Sequence, residues 1–294
     1  MCVWHEQVFT FKTLVKVVIF DWQPDCNLKY SFMLAINLCN KVAIVTGVTS
    51  GIGAGVAKVL AMAGCDVAGC GRTPDHDESV KTFMKSVESV GQRAFYQSVD
   101  VTDPAQIALF VAQVGELFRK IDIVVSNAGV NVFKGAEKCT DGEWAHNIDL
   151  NLASHWHLAK FSKPWLEKST HGVFEVMTSN HAYSSIPGCF PYNVTKTALT
   201  GLVRALAIEW GPAVRVVGIA PGFIETPGND KWFESFPDAE VERQRTIKLH
   251  PAGKLGSTEE IGSWCAFLAS DFAAFATGAT YLIDGGRSAL MQDE

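Results

Sequence analysis

Thr46-Gly47-Val48-Thr49-Ser50-Gly51-Ile52-Gly53 is flanked by two segments of different character. Ahead of it runs Val42-Ala43-Ile44-Val45, an apolar run of the kind that forms a strand buried on both faces. Behind it comes Ala54-Gly55-Val56-Ala57-Lys58-Val59-Leu60-Ala61, whose small and apolar residues suit a helix packed on a sheet. The glycines therefore stand where a strand turns into a helix. A helix start presents unpaired N–H groups and the positive end of the helix dipole, and so attracts phosphate. Glycine permits the tight turn and lets a pyrophosphate approach the backbone closely. The spacing is G-x-x-x-G-x-G rather than the general G-x-G-x-x-G, so an ordinary strand–turn–helix corner also fits this stretch taken alone.

Downstream the same alternation repeats. Apolar strands are expected at Val42–Thr46, Asp66–Cys70, Ala94–Val99, Ile121–Ser126, Val173–Met177, Val214–Ile219 and Thr280–Ile283. Helical stretches lie between them. One is Pro104 to Phe118, with Asp103 as cap and Pro104 in the first turn. Repeated β-α units of this length predict an α/β fold: a Rossmann-type, doubly wound parallel sheet of about seven strands with helices on both faces. It forms a single domain over residues 41–294. Ligands of such sheets bind beyond the carboxyl ends of the strands, where the strand order reverses. Residues 1–40 do not follow the pattern. Their apolar run Leu14–Phe20 is too short to span a bilayer, and the basic start and cleavage site of a signal peptide are missing. They are expected to be an extension upstream of the natural start, with Met33 just before the first strand; the alternative is an arm packed on a partner subunit.

Composition narrows the function. With 294 residues and a hydrophobic fraction of 48%, the chain has ample material for a core. A net charge of −6 leaves no basic footprint for nucleic acid, and no apolar run is long enough to cross a membrane. The eight cysteines are scattered without C-x-x-C spacing. That argues against a metal site and for reduced thiols in the cytoplasm.

Tyr192 and Lys196 form a Y-x-x-x-K pair, which a helix brings onto one face. An ammonium beside a phenol favours the phenolate and lowers its pKa from about 10. A tyrosine so placed exchanges protons near neutral pH. Ser179 lies just past the strand Val173–Met177, also at the carboxyl edge, where its hydroxyl can hold a carbonyl oxygen. Among the histidines, His155 and His157 are two apart and face different ways on a helix. His181 follows Ser179 by two and is a candidate for touching substrate, with an ordinary loop histidine as the alternative.

These residues together resemble the short-chain dehydrogenase/reductase family, over residues 41–287. Thr46–Gly53 is similar to its TGxxxGIG cofactor loop, which implies contacts from Gly47, Thr49, Ser50, Gly51, Ile52 and Gly53. Asn127-Ala128-Gly129 matches its NAG motif, and Asp100-Val101 the acidic pair near the adenine. Pro221-Gly222, with Ile224 and Thr226, matches the loop that closes over the nicotinamide. Asn151, Ser179, Tyr192 and Lys196 match the catalytic tetrad in order and spacing. The resemblance implies that Tyr192 exchanges a proton with the substrate oxygen and Ser179 holds that oxygen. It implies that Lys196 grips the cofactor ribose, and that Asn151 holds a water linking Lys196 to solvent. No metal is implied. A homotetramer is, and the apolar region Phe267–Leu290 agrees with it.

The resemblance leaves the cofactor to the end of the second strand. An acid there binds the ribose 2′-hydroxyl of NAD, and an arginine accommodates the 2′-phosphate of NADP. Here stand Gly71 and Arg72, which favours NADP(H). NAD(H) remains the alternative, because Asp75, Asp77 and Glu78 follow closely and Ser50 replaces a basic residue common in the glycine loop of NADP-type members. The expected substrate is a small ketone or secondary alcohol. Oxoacyl thioesters, sugar-derived polyols and cyclic ketones all stay open. Residues 222–255 are the variable lid, in which Phe223 and Trp232 are candidates for touching substrate or for forming the lid's own core. A non-catalytic nucleotide-sensing or scaffold protein is the remaining alternative; it would be marked by a lost Ser, Tyr or Lys, and none is lost.

Overall fold

The computed structural model describes residues 35–291, so the expectations for residues 1–34 lie outside the described part. From Ile36 onward the chain forms one compact unit. Its seven strands are β1 (Val42–Thr46), β2 (Asp66–Gly71), β3 (Ala94–Ser98), β4 (Ile123–Ser126), β5 (Gly172–Met177), β6 (Val214–Pro221) and β7 (Thr280–Ile283). Every pairing is parallel, in the order β3-β2-β1-β4-β5-β6-β7. The chain runs outward from β1 to β3, then returns to place β4 on the other side of β1. The strand order therefore reverses between β1 and β4, and the crevice lies above their carboxyl ends.

The apolar runs become strands because both sheet faces are covered, so every position of β1 is buried. Side chains alternate between two cores. Val42 and Ile44 join Phe110, Val114, Leu158, Phe174 and Leu199. Ala43 and Val45 join Leu60, Phe83, Ile261 and Leu268. The second core is capped by α1 (Gly51–Met62) and α2 (Glu78–Glu88). The first is capped by α3 (Pro104–Phe118). Asp103 caps α3 as expected, accepting from the Ala105 N–H at 2.9 Å.

Past β4 comes α4 (Asp141–Ile148), opened by a capping box between Thr140 and Glu143. A single π-helical turn, Asp149–Ala153, joins it to α5 (Ser154–Leu166). Then follow α6 (Tyr192–Trp210), α7 (Pro227–Phe233), α8 (Ala239–Lys248) and α9 (Thr258–Ala269). Helices α5 and α6 complete the first core, and α9 completes the second. α9 lies so close to α1 that a Cβ on Gly55 would fall 2.4 Å from Thr258.

The packed unit starts before Lys41. Leu38 is fully buried in the second core. Its N–H donates to Ala63 O at 2.8 Å, and its carbonyl accepts from Cys65 Sγ. Among the described residues, no helix is long and apolar enough to cross a membrane.

Candidate active site

The loop after β1 holds its shape through two glycines in the left-handed region, Gly47 at φ 77° and Gly51 at φ 58°. A Cβ on Gly53 would fall 2.1 Å from Gly47 O, so the turn closes only on glycine. Thr46 ties this loop to the one after β4: its Oγ1 accepts from the N–H groups of Asn127 and Ala128, both at 2.9 Å. Asn127 Nδ2 donates back to Thr46 O at 2.8 Å. Ser50 precedes α1 with extended backbone and makes no side-chain cap bond. The first turn of α1 thus presents its N–H groups to the crevice without a side-chain cap.

At the end of β2, Tyr96 O–H donates to Thr73 O at 2.8 Å and approaches Gly71 O at 3.2 Å. This fixes the backbone from which the exposed Arg72 extends. Thr49 Oγ1 meets Thr73 Oγ1 at 3.1 Å. Asp100 is occupied by Thr102, accepting from its N–H at 2.9 Å and its hydroxyl at 2.8 Å. Those bonds, the Thr102 N–H first, hold its carboxyl below the usual range, with a smaller pull from the Arg72 charge. Val101 is buried behind it. Opposite, Gly222 donates to Ile283 O at 2.9 Å and lies against Asp284. Ile224 is buried, and Thr226 caps α7. The Thr226 methyl lies 3.5 Å from where a Cβ on Gly51 would be, so the loop after β6 faces the glycine turn.

The four residues of the expected tetrad come together at the carboxyl edge from three elements. Ser179 follows β5 and reaches the Tyr192 phenol. Tyr192 opens α6. Lys196, one turn later, stands 5.5 Å from the Tyr192 ring centroid and donates to Met177 O at 2.9 Å. Asn151 sits in the π turn, a feature frequent at functional sites. Its Oδ1 accepts from Val130 N–H at 3.0 Å; its Nδ2 donates to Val130 O at 3.0 Å and to Asn147 Oδ1 at 2.9 Å. Gly129 leaves the room for this: a Cβ there would fall 2.6 Å from Asn151 Oδ1 and 3.7 Å from Lys196 Nζ. Both amide hydrogens of Asn151 are therefore taken, and a water has only the remaining Oδ1 lone pair or the backbone to bind.

The electrostatics depart from the expectation that Lys196 would lower the phenol's pKa. Burial dominates both groups. It pushes Lys196 down to about 7 and pushes the Tyr192 phenol up, against a smaller lowering by the Ser179 hydrogen bond. Within the protein alone, both groups are held toward their neutral forms.

His181 packs edge-on against Tyr192, ring centroids 6.1 Å apart, and against Phe133 at 5.6 Å. Phe133 itself meets Tyr192 at 5.6 Å. Phe223 and Trp232 pack instead on one another, on Phe233 and, for Trp232, on Phe236. His155 is buried with Nδ1 2.7 Å from Ser126 Oγ, and burial holds its pKa well below the usual value. Three neighbours of the site went unread in the sequence: Phe133, Asn147 and Tyr96. Asn147 had a signal, standing four residues before Asn151 where a helix places both on one face. A separate groove of about 590 Å³ is lined by Phe223, Leu255, Trp264, Phe267 and Ile283 among others, and none of the four tetrad residues lines it.

Comparison with known proteins agrees with this fold. Residues 47–288 match the sequence family described as enoyl-(acyl carrier protein) reductase. Human dehydrogenase/reductase SDR family member 4 is 35% identical over 253 residues, covering 85% of this chain and 88% of its own. The 2-dehydro-3-deoxy-D-gluconate 5-dehydrogenase of Bacillus subtilis is 32% identical, covering 86% and 96%. The solved structure of Thermoplasma acidophilum aldohexose dehydrogenase superposes with a TM-score of 0.78 at 28% identity, covering 87% and 97%. The chain belongs to the short-chain dehydrogenase/reductase family and is an oxidoreductase enzyme of the kind that uses a nicotinamide dinucleotide.

Proposed function

We propose that the chain is an NADP(H)-dependent oxidoreductase that reduces a small ketone or oxidises a secondary alcohol, with Ser179, Tyr192, Lys196 and Asn151 as its active site. The observation that carries this reading is the convergence of Ser179, Tyr192 and Lys196 on one point of the carboxyl edge. The cradle suits a dinucleotide. The uncapped start of α1 would hold a pyrophosphate, and the buried Lys196 amine would hold ribose hydroxyls. The bound dinucleotide supplies or accepts the hydride. In reduction Tyr192 gives its proton to the carbonyl oxygen while the Ser179 hydroxyl donates to that oxygen. Lys196 stabilises the phenolate left behind. Asn151, pinned by Val130 and Asn147, holds the loop after β4 in place beside Lys196. In oxidation the proton travels the other way.

The preference for NADP(H) rests on Arg72, which is exposed and makes no ion pair among the described residues. NAD(H) is the alternative cofactor. The human relative's name specifies no substrate, whereas those of the Bacillus and Thermoplasma proteins specify sugar-derived ones. These names point to a polyol or sugar acid, and the description of the matched family, an acyl carrier protein reductase, points to a thioester. Exposed Phe272, Phe275 and Leu282 near α9 and β7 favour the homotetramer. The six described cysteines are all free thiols, in keeping with a cytoplasmic location.

The test is a panel of ketones and alcohols with both cofactors, run on wild type and Tyr192→Phe. Turnover that depends on Tyr192 supports the reading. No turnover of any compound, or equal turnover by the variant, overturns it.

A further inference from the structure

The turn that carries Asn151 is joined to the start of α6 by one side chain, Asn147. It comes from α4 and has no exposed surface. Asn151 stands four residues on, in the π turn, and is equally buried. Asn147 Oδ1 accepts from Asn151 Nδ2 at 2.9 Å. Asn147 Nδ2 donates to the carbonyl of Pro191 at 3.2 Å. Tyr192 follows Pro191 directly. The same carbonyl accepts from the Val194 N–H at 3.2 Å, inside the first turn of α6. Asn147 thus grips the carbonyl on which that helix begins.

The two amides can lie only one way round. The Val130 N–H can only donate, and it bonds Asn151 Oδ1 at 3.0 Å, so the other terminal atom of Asn151 is the nitrogen. That nitrogen donates to Asn147, which meets it with its oxygen. Asn147 then turns its nitrogen to Pro191, whose carbonyl can only accept. Flipping either amide would set donor against donor or acceptor against acceptor. The bonds therefore run in a single direction, from the loop after β4, through the π turn, to the residue before Tyr192. The loop after β4 meets the same segment a second time. The N–H groups of Lys134 and Gly135 donate to Phe190 O at 2.8 and 3.1 Å. Phe133 pairs with Pro191 in an antiparallel bridge and sets its ring against Tyr192. Burying an amide costs free energy that an apolar side chain would not, and a paired buried network fixes one arrangement of its parts.

We propose that Asn147 is a positioning residue of the active site: through Asn151 and the Pro191 carbonyl it holds Tyr192 in place against the turn that carries Asn151. This rests on the oxidoreductase reading above and extends it to a residue too buried to touch substrate or cofactor. Proton exchange needs the Tyr192 hydroxyl aimed at the substrate oxygen, and a displacement of about 1 Å can cost about a hundredfold in rate. The amide of Asn147 does not titrate, so its contribution is geometric.

The probes are butanone, cyclohexanone, mannitol, glucose and acetoacetyl-CoA with both cofactors, and the kinetics use whichever the wild type turns over. Asn147→Leu fills a similar volume and removes both bonds. It should lower kcat by about 10- to 100-fold per folded molecule, with KM and the cofactor dissociation constant little changed. Asn151→Ala should lower kcat as well. The double variant should lose clearly less than the product of the two single losses, because Asn147 acts in part through Asn151. Asn147→Asp keeps the shape of the side chain, should the Leu variant fail to fold. Its neutral carboxyl can accept from Asn151 and donate to Pro191; once ionised, it sets an acceptor against the Pro191 carbonyl. Its kcat relative to wild type should therefore fall between about pH 6 and pH 8. Tyr192 and Lys196 of α6, and Glu143 and His146 of α4, are common to both proteins, so the ratio is what is read. Hydrogen exchange gives a readout without turnover: the amides of residues 128–133 and 192–196 should exchange faster in Asn147→Leu than in wild type. Unchanged exchange, single losses that simply multiply, or unchanged kcat despite faster exchange would refute the positioning role. Faster exchange in the variant of a protein that shows no Tyr192-dependent turnover would leave the tie standing and remove the redox reading instead.

Discussion

Lys196 and Glu175 are both ionisable groups buried against the same strand, and they sit there for different reasons. Lys196 comes from α6, and its ammonium caps the end of β5 at Met177 O, at the crevice. Glu175 belongs to β5 itself, two residues earlier, and points into the second core between Val173 and Met177. Burial pushes Lys196 down to about 7 and Glu175 up to about 8. Lys196 has a hydrogen bond, an aromatic ring and a route to the site. Both Glu175 carboxylate oxygens lack a hydrogen-bond partner. The Cys265 thiol and the Arg215 charge only partly offset the burial. Arg215, from β6, is itself engaged with the carbonyls of Leu268 and Ala276. At the edge, destabilising burial serves the proposed chemistry; two residues back along the strand, the same kind of burial has no visible return.

The sharpest way to test that contrast is at Tyr192. Tyr192→Phe removes only the hydroxyl, while the ring keeps its contacts with Phe133 and His181. Loss of a general acid lowers turnover by roughly a hundred- to ten-thousand-fold. The melting temperature should stay within a few degrees, because the hydroxyl lies in a site that contributes little to packing. Steady-state kinetics and calorimetric melting check both halves. A large drop in melting temperature with modest loss of activity would make the edge a structural feature.

Glu175→Leu tests the other member. The folded pKa, about 8, lies above the ordinary carboxylate value of 4.5. The folded protein therefore holds a proton that the unfolded chain releases between those values. Stability falls as pH rises through this window, and the full penalty is present above pH 8. Near pH 7 the penalty is about 3 kcal/mol as an upper figure. Leu fills a similar volume without charge. Glu175→Leu should raise the melting temperature by several degrees at pH 8 and by much less at pH 5, with turnover preserved. Destabilisation at pH 8 would show that Glu175 has a role in the core that its contacts do not reveal.

The sequence was legible where periodicity and spacing carry information. The apolar runs located all seven strands; the five central ones are buried on both faces, while the edge strands β3 and β7 are only partly buried. Asp103 and Pro104 located the start of α3. The candidate tetrad could be named because its members stand near strand ends in an order and spacing that resemble the family's. Glu175 was not legible, since one charge inside Val173–Met177 does not disturb a five-residue apolar run. The π turn was invisible too, because one extra residue per turn leaves no mark on helical periodicity. Phe133 lies in a loop, where only the folded chain determines what it meets.

Arg72 gives the smallest expected effect and the finest distinction, because it lies at the edge yet is exposed where Lys196 is buried. A guanidinium can meet the 2′-phosphate of NADP with two parallel hydrogen bonds. Such bonds contribute about 1.5–3 kcal/mol, and solvent and salt bring an exposed pair to the low end. Arg72→Ala should therefore reduce the preference for NADPH over NADH by about tenfold. Gly71→Asp should push further in the same direction. A Cβ at Gly71 meets only Tyr96 Oη at 3.5 Å and Thr49 Oγ1 at 3.8 Å, ordinary contact distances, so the carboxylate fits without displacing the turn. There it would repel the phosphate and accept from the ribose hydroxyls of NAD. The dissociation constants of both cofactors, measured at two salt concentrations, decide the matter. The Arg72 contribution should shrink as salt rises, because an exposed charge is screened. Equal weakening of both cofactors, or a wild type that already prefers NADH, would mean that Arg72 is an ordinary surface charge and that this position does not select the cofactor.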